Sequence, residues 1–129
     1  MIVPRSLDGF NVIAAIERML DQPELWWEAV GLFVEHFAGW EQSWQASIGD
    51  DTLERKRVHA IRSAAANIGA EQLSERARAL EEALLKRTDD NPADITAELR
   101  TALKVAFRQA WAAAATARQE SDFGAGGRA

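Results

Sequence analysis

The sequence predicts an all-α protein, on three observations: alanine is abundant while prolines number 3, apolar residues recur at spacings of three and four, and Asp, Gly and Pro punctuate the gaps. With 129 residues, a single domain with a real core is expected and two ordinary domains are not. Hydrophobic residues make up 47% and charged residues 27%, a globular rather than a disordered composition.

Residues 1–7 read as an N-terminal extension. Asp8 is then a cap candidate for a short helix reaching about Leu20, with Val12, Ile16 and Met19 or Leu20 on one face, packed across the end of a bundle. Asp21 and Pro23 mark the next start, Asp21 as cap and Pro23 in the first turn, where its missing N–H costs nothing. A long second helix follows, and Trp26, Val30, Phe33, Phe37, Trp40 and Trp44 make one seam along it. Because Trp26 and Trp27 are adjacent, only one of them is expected to face inward, leaving the other for a docking surface.

Gly49, Asp50 and Asp51 form a break before a third helix, from about Thr52 to Ile68, closed by Gly69 in the left-handed conformation. Leu73, Ala77, Leu80 and Leu84 continue the pattern in a fourth helix from about Ala70 to Arg87, antiparallel to the third. Thr88 to Pro92 interrupt the chain. A final helix beginning near Pro92 buries Ile95, Leu99, Ala102, Leu103, Ala106 and Ala110, with Phe107 and Trp111 extending the face. Residues 8–119 thus make the bundle, and the glycine-rich 120–129 is expected to be a flexible tail.

A formal charge of −5 argues against a surface built to neutralise nucleic-acid phosphates. With no cysteine, disulfides, thiolate catalysis and cysteine-ligated zinc are excluded. No apolar run approaches a membrane span, and a soluble, cytoplasmic monomer is the expectation. Neither histidine follows a glutamate by three residues, so paired Glu-x-x-His metal motifs are absent, as are the glycine patterns of nucleotide sites.

One residue breaks the phase of the third helix. Advancing about 100° per residue from Ile61, Ala64, Ala65 and Ile68 fall within roughly 60° of the apolar centre, whereas His59 lies at about 160° and points at water. Its neighbours at one turn and two turns are Arg55, Lys56, Arg62, Ser63 and Ala66, so a bare imidazole stands among cations and small residues. The basic trio also fits an ordinary charged helix face. His36, beside Phe37, reads as a structural or partly exposed histidine.

From His59, the run H-A-I-R-S-A-A-A-N-I-G-A-E-Q-L resembles the signature of histidine-containing phosphotransfer (HPt) domains, H-x-L-K-G, four residues, then an aliphatic residue and glycine. His59 takes the phosphorylated position, Ile61 the aliphatic one, Arg62 that of lysine, Ser63 that of glycine, and Ile68 with Gly69 the helix end. The resemblance extends over about residues 8 to 110. Arg62 keeps the charge but replaces a compact ammonium with a planar fork. Ser63 replaces the small residue that leaves room for a partner, and is still small.

The resemblance implies an antiparallel four-helix bundle with a short N-terminal helix, and a phosphorelay intermediate whose His59 takes a phosphoryl group from one response-regulator receiver and passes it to another. Arg55, Lys56, Arg62, Ser63 and Ala66 would stabilise phosphohistidine or touch the receiver, and Glu81 would orient the ring through its other nitrogen. The carrier has no autokinase activity and needs no cofactor, because Mg2+ and the acidic pocket belong to the receiver. The partners the resemblance implies are response-regulator receiver domains, with a hybrid histidine kinase as a further candidate, and no nucleic acid and no membrane. The alternative is a bundle that binds a receiver or kinase without accepting phosphate, Ser63 obstructing the approach.

Overall fold

The computed structural model describes residues 3–87 and 93–126. Six helices run in order: α1 Val12–Arg18, α2 Pro23–His36, α3 Trp40–Ser47, α4 Asp51–Ile68, α5 Glu71–Leu85 and α6 Ala93–Gly126. No strand is present among the described residues, and none of their helices is long and apolar enough to cross a membrane. The long helices form an antiparallel bundle with α1 laid across the end where α4 turns into α5, as expected.

That turn is tightly specified. Gly69 closes α4 with φ 87, a conformation that costs a side-chain-bearing residue about 1–2 kcal/mol. It also has no room for a side chain, since a Cβ would stand 2.6 Å from the Asn11 carbonyl oxygen and 3.1 Å from the Ala15 methyl. The backbone of α1 uses the space: the Asn11 N–H donates to the Gly69 carbonyl at 2.8 Å. The last carbonyls of α4, which no helical N–H can reach, find donors elsewhere. Trp26 Nε1 donates to Ile68 O at 2.9 Å, Arg18 to Ala66 O at 2.7 Å and the Ala70 N–H to Ala65 O.

The single long second helix is in fact two. Phe37, Ala38 and Gly39 form a turn between α2 and α3, with Gly39 at the N-cap of α3. Glycine is a poor helix residue by about 1 kcal/mol, and the break lets Trp40 and Trp44 leave the α2 axis. They stack on each other with ring centroids 5.1 Å apart, and Trp40 meets Phe107 of α6 at 4.8 Å. Phe37, at the break, is only half-buried.

The caps of the first two helices also differ from expectation. Asn11, not Asp8, caps α1 by accepting from the Ala14 N–H. Asp21 does not cap α2: it and Leu20 adopt left-handed backbone, φ 57 and φ 59, and Gln22 is the N-cap. The reversal turns Leu20 out to 80% exposure, because the chain must double back from α1 into α2 within a few residues.

Trp26 and Trp27 are both buried, contrary to the one-inside expectation. Neighbours grip α2 from two directions: Trp26 reaches the end of α4, while the carbonyl of Trp27 accepts from Arg118 of α6, whose guanidinium also lies 4.9 Å above the Trp27 ring. Neither is left for a docking surface. Gly31 leaves room for the same guanidinium, since a Cβ there would stand 3.0 Å from it.

A buried ion pair joins α4 to α6. Glu54 is completely buried, and Arg100 meets it bidentately at 2.7 and 2.9 Å while Trp44 Nε1 donates to it at 3.0 Å. The hydrogen bonds to Glu54 raise Arg100 above the ordinary guanidinium value. The α6 register follows: Thr96, beside Arg100, is buried, whereas Ile95, expected inside, is 53% exposed. Leu103, Ala106 and Phe107 are buried as expected, as are Leu73, Ala77, Leu80 and Leu84 of α5. The helix runs on through Gly126, so residues 120–126 are helical where a tail from 120 was expected. The break at 88–92 lies outside the described residues.

Alanine at two of the three positive-φ glycines, Gly49 and Gly69, separates strain from clash. Gly49, φ 110 with open space around it, should lose about 1 kcal/mol as alanine. Gly69→Ala should lose more than about 2 kcal/mol, because backbone must also move. Chemical denaturation of both variants measures the difference; equal losses would mean that α1 does not depend on the bare glycine.

Candidate functional site

The α4–α5 hairpin positions the site. His59 precedes Gly69 by ten residues and Glu81 follows it by twelve, so both lie about 15–18 Å from the turn at 1.5 Å per residue and face each other across the two helices. His59 Nδ1 and Glu81 Oε1 are 2.8 Å apart, and Arg62 donates to Glu81 Oε2, also at 2.8 Å. The carboxylate thus bridges two α4 side chains one turn apart.

Exposure differs sharply within the trio. The His59 side chain is 61% exposed and Arg62 39%, whereas Glu81 is 17% exposed. Burial works to raise the Glu81 carboxyl, but the hydrogen bonds and positive charge of Arg62 and His59 outweigh it and hold Glu81 below the ordinary value of 4.5. Glu81 is therefore ionised at neutral pH. A carboxylate only accepts, so Nδ1 donates, and in the neutral ring Nε2 carries the lone pair on the exposed side.

The remaining sequence candidates do not converge on the imidazole. Arg62 is the one basic neighbour that the structure ties to the site, through Glu81. Helical phase sends Arg55, half-buried, toward α5 and Lys56, exposed, toward α2, where it lines a hollow with His36. Ser63 and Ala66 are exposed, one and two turns beyond His59, and the Ala66 carbonyl is occupied by Arg18.

Two supporting residues escaped sequence reasoning. Arg18 ties α1 to the last turn of α4, and Ser74 Oγ donates to the Arg62 carbonyl at 3.4 Å. Neither carries a signal in the sequence, since each acts across helices whose packing is tertiary. Among the described residues, no group of three His, Cys, Asp or Glu side chains is placed to hold a metal ion.

The lowered Glu81 value has a consequence for stability, with its sign fixed. A carboxylate whose folded value lies below its unfolded value stabilises the fold above the ordinary 4.5, and that stabilisation disappears as pH falls through the folded value. Wild type should thus exceed Glu81→Gln in stability at pH 7, and the gap should narrow as pH falls below the ordinary 4.5. Urea melts across pH 3 to 7 measure it, and a gap independent of pH would contradict the assignment.

Comparison with known proteins adds one positive finding. A family model described as the Hpt domain matches residues 32–117, from the middle of α2 into α6 and across the whole α4–α5 hairpin. No curated protein matches the chain, and no solved structure does.

Proposed function

The chain belongs to the Hpt domain family, whose members are phosphocarriers rather than enzymes, and from that premise we propose that it is a phosphorelay intermediate carrying phosphate on His59. The observation that carries the reading is the pairing of Nδ1 with Glu81, which leaves Nε2 as the accessible lone pair.

In the forward step Nε2 attacks the phosphorus of a receiver's aspartyl phosphate in line; the P–N bond forms as the P–O bond breaks, and the aspartate departs as carboxylate. No proton leaves during attack. The phosphorylated ring keeps its Nδ1–H, and its positive charge faces the Glu81 carboxylate 2.8 Å away. Passage to a second receiver reverses the same bonds. Mg2+ is supplied by the receiver, where it offsets charge on the phosphoryl oxygens.

Arg62 plays two parts in this reading. It holds Glu81 by one oxygen, keeping the other aimed at His59, and it places a permanent cation on the same exposed face. Ser63 adds only a hydroxyl to that face.

Incubation with a phosphorylated receiver should load acid-labile, base-stable phosphate on wild type and none on His59→Gln. Absence of label on wild type with every receiver would overturn the reading. Replacing Arg62 with alanine should slow transfer, or shorten the phosphohistidine lifetime, by about tenfold, the scale of one charge-assisted hydrogen bond. Circular dichroism should remain helical, and unchanged rate and lifetime would remove Arg62 from the mechanism.

A further inference from the structure

The relay chemistry draws on α4 and the side of α5 that faces it, and leaves the far side of α5 without a task. Arg76 stands about 140° around the α5 axis from Glu81, and it faces α6 instead of α4. A hollow of about 510 Å³ runs there between α5 and α6, with Gln72 and Arg76 on one wall and Glu98, Val105 and Gln109 on the other. Gln72 and Gln109 also line a second hollow, of about 650 Å³, which continues down α6 to Glu120 beside Leu7, Asp8 and Gly9. The two make one groove. Its lower end includes residues 7–9 and 120, outside the matched range of 32–117, and no residue of the relay trio enters it.

The floor of the groove is low and its rims are unspent. Ala102, Ala106, Ala113 and Ala117 line it from α6, so their methyl groups let another helix come close. Val105 stands 50% exposed on the same helix. Arg76 and Glu98 are exposed on opposite walls, and among the described residues neither makes a hydrogen bond or an ion pair. Gln72 and Gln109 are likewise exposed on opposite walls.

These rims are complementary to themselves. Turning a second copy by 180° about an axis along the groove lays α5 of each copy over α6 of the other. Axial direction is kept in that rotation, so α5 runs antiparallel to the α6 above it, as it does to its own. Arg76 then meets Glu98 of the other copy, and Gln72 meets Gln109, whose amides both donate and accept. Each contact occurs twice, as a two-fold interface requires. From Ala97 to Glu120 the α6 wall is about 35 Å long at 1.5 Å per residue. A face of that length and two helices wide approaches the ~800 Å² that each partner gives to a standard interface.

We propose that a second copy of this chain occupies the α5–α6 groove, forming a two-fold dimer in which α5 and α6 of both copies build an antiparallel four-helix interface, with Val105 for apolar contact and two Arg76–Glu98 pairs for register. An apolar floor by itself accepts any helix. Opposite charges on the two walls select a partner whose charges are exchanged, and a two-fold copy supplies that arrangement. The dimer takes the place of the monomer expected from the sequence, and it does not depend on phosphate reaching His59. Both His59 rings stay on the outer, α4 side of α5, so one assembly presents two carriers.

Sedimentation velocity on the purified full chain, from about 1 μM to 1 mM, should show the mass rising from one chain to two. Charge exchange makes the test specific to this face. Arg76→Glu and Glu98→Arg should each weaken association at least tenfold, because like charges then meet at both contacts, while circular dichroism stays helical. Mixing the two single variants should restore association, since both contacts in the mixed pair are again opposite in charge, and the double variant should recover in the same way. Ile13→Glu, at an exposed position on α1 outside the groove, should associate like wild type. A wild type that stays monomeric throughout the series overturns the dimer. So do single variants that associate within twofold of wild type, a mixture that fails to recover, or an equal loss in Ile13→Glu.

Discussion

The close approach of α1 to a bare backbone at Gly69 governs the rest of this molecule. With φ 87 and no space for a Cβ, the residue ends α4 and reverses the chain within a single step, and the register of α5 against α4 is set there. Register is what places Glu81 across from His59, since a slip of one residue rotates a helical side chain by about 100° and carries it out of reach. The carbonyls exposed at the same point are held by Trp26 and Arg18 from two other helices. The reactive end of the site is thus fixed from its far end.

Packing and chemistry are kept apart within the bundle. Four of the five tryptophans use the indole N–H as a peg: Trp26 to Ile68 O, Trp40 to Arg57 O, Trp44 to Glu54 and Trp111 to Val34 O. Trp27, the fifth, is buried with its N–H unpartnered and is held instead beneath the Arg118 guanidinium. Glu54 and Arg100 are fully paired inside, where removal of one partner leaves a stranded charge at a cost of about 3–5 kcal/mol. Glu81 has the same bidentate capacity but sits near the surface and divides it between Arg62 and His59. The first carboxylate locks helices together; the second orients a nucleophile.

Much of the architecture was legible because local rules agreed with the fold. Asp50 caps α4 by accepting from the Leu53 N–H, Gly69 closes it, and the periods of α4, α5 and the middle of α6, from Leu103 to Phe107, matched their buried faces. Misreadings arose where a local rule had competitors. The three-four rhythm runs unbroken through Phe37, Trp40 and Trp44, so nothing periodic betrays the turn at Gly39. Adjacent Trp26 and Trp27 are both inside because two separate neighbours hold α2. Ile95 yields its place to Thr96 because Arg100 must reach Glu54.

The sequence by itself determined the all-α class, the left-handed end of α4 and the exposure of His59, because each follows from residues within a few turns of one another. It also offered Glu81, from its place in the facing helix of the hairpin and the chemistry of a carboxylate acceptor. Tertiary structure alone decided the rest: that Arg62 turns to Glu81 while Lys56 faces α2, and that the aromatic run bends at Gly39. Such features depend on the relative placement of helices far apart in the chain, and hydrophobic periodicity gives a helix its buried face without naming the neighbour that buries it.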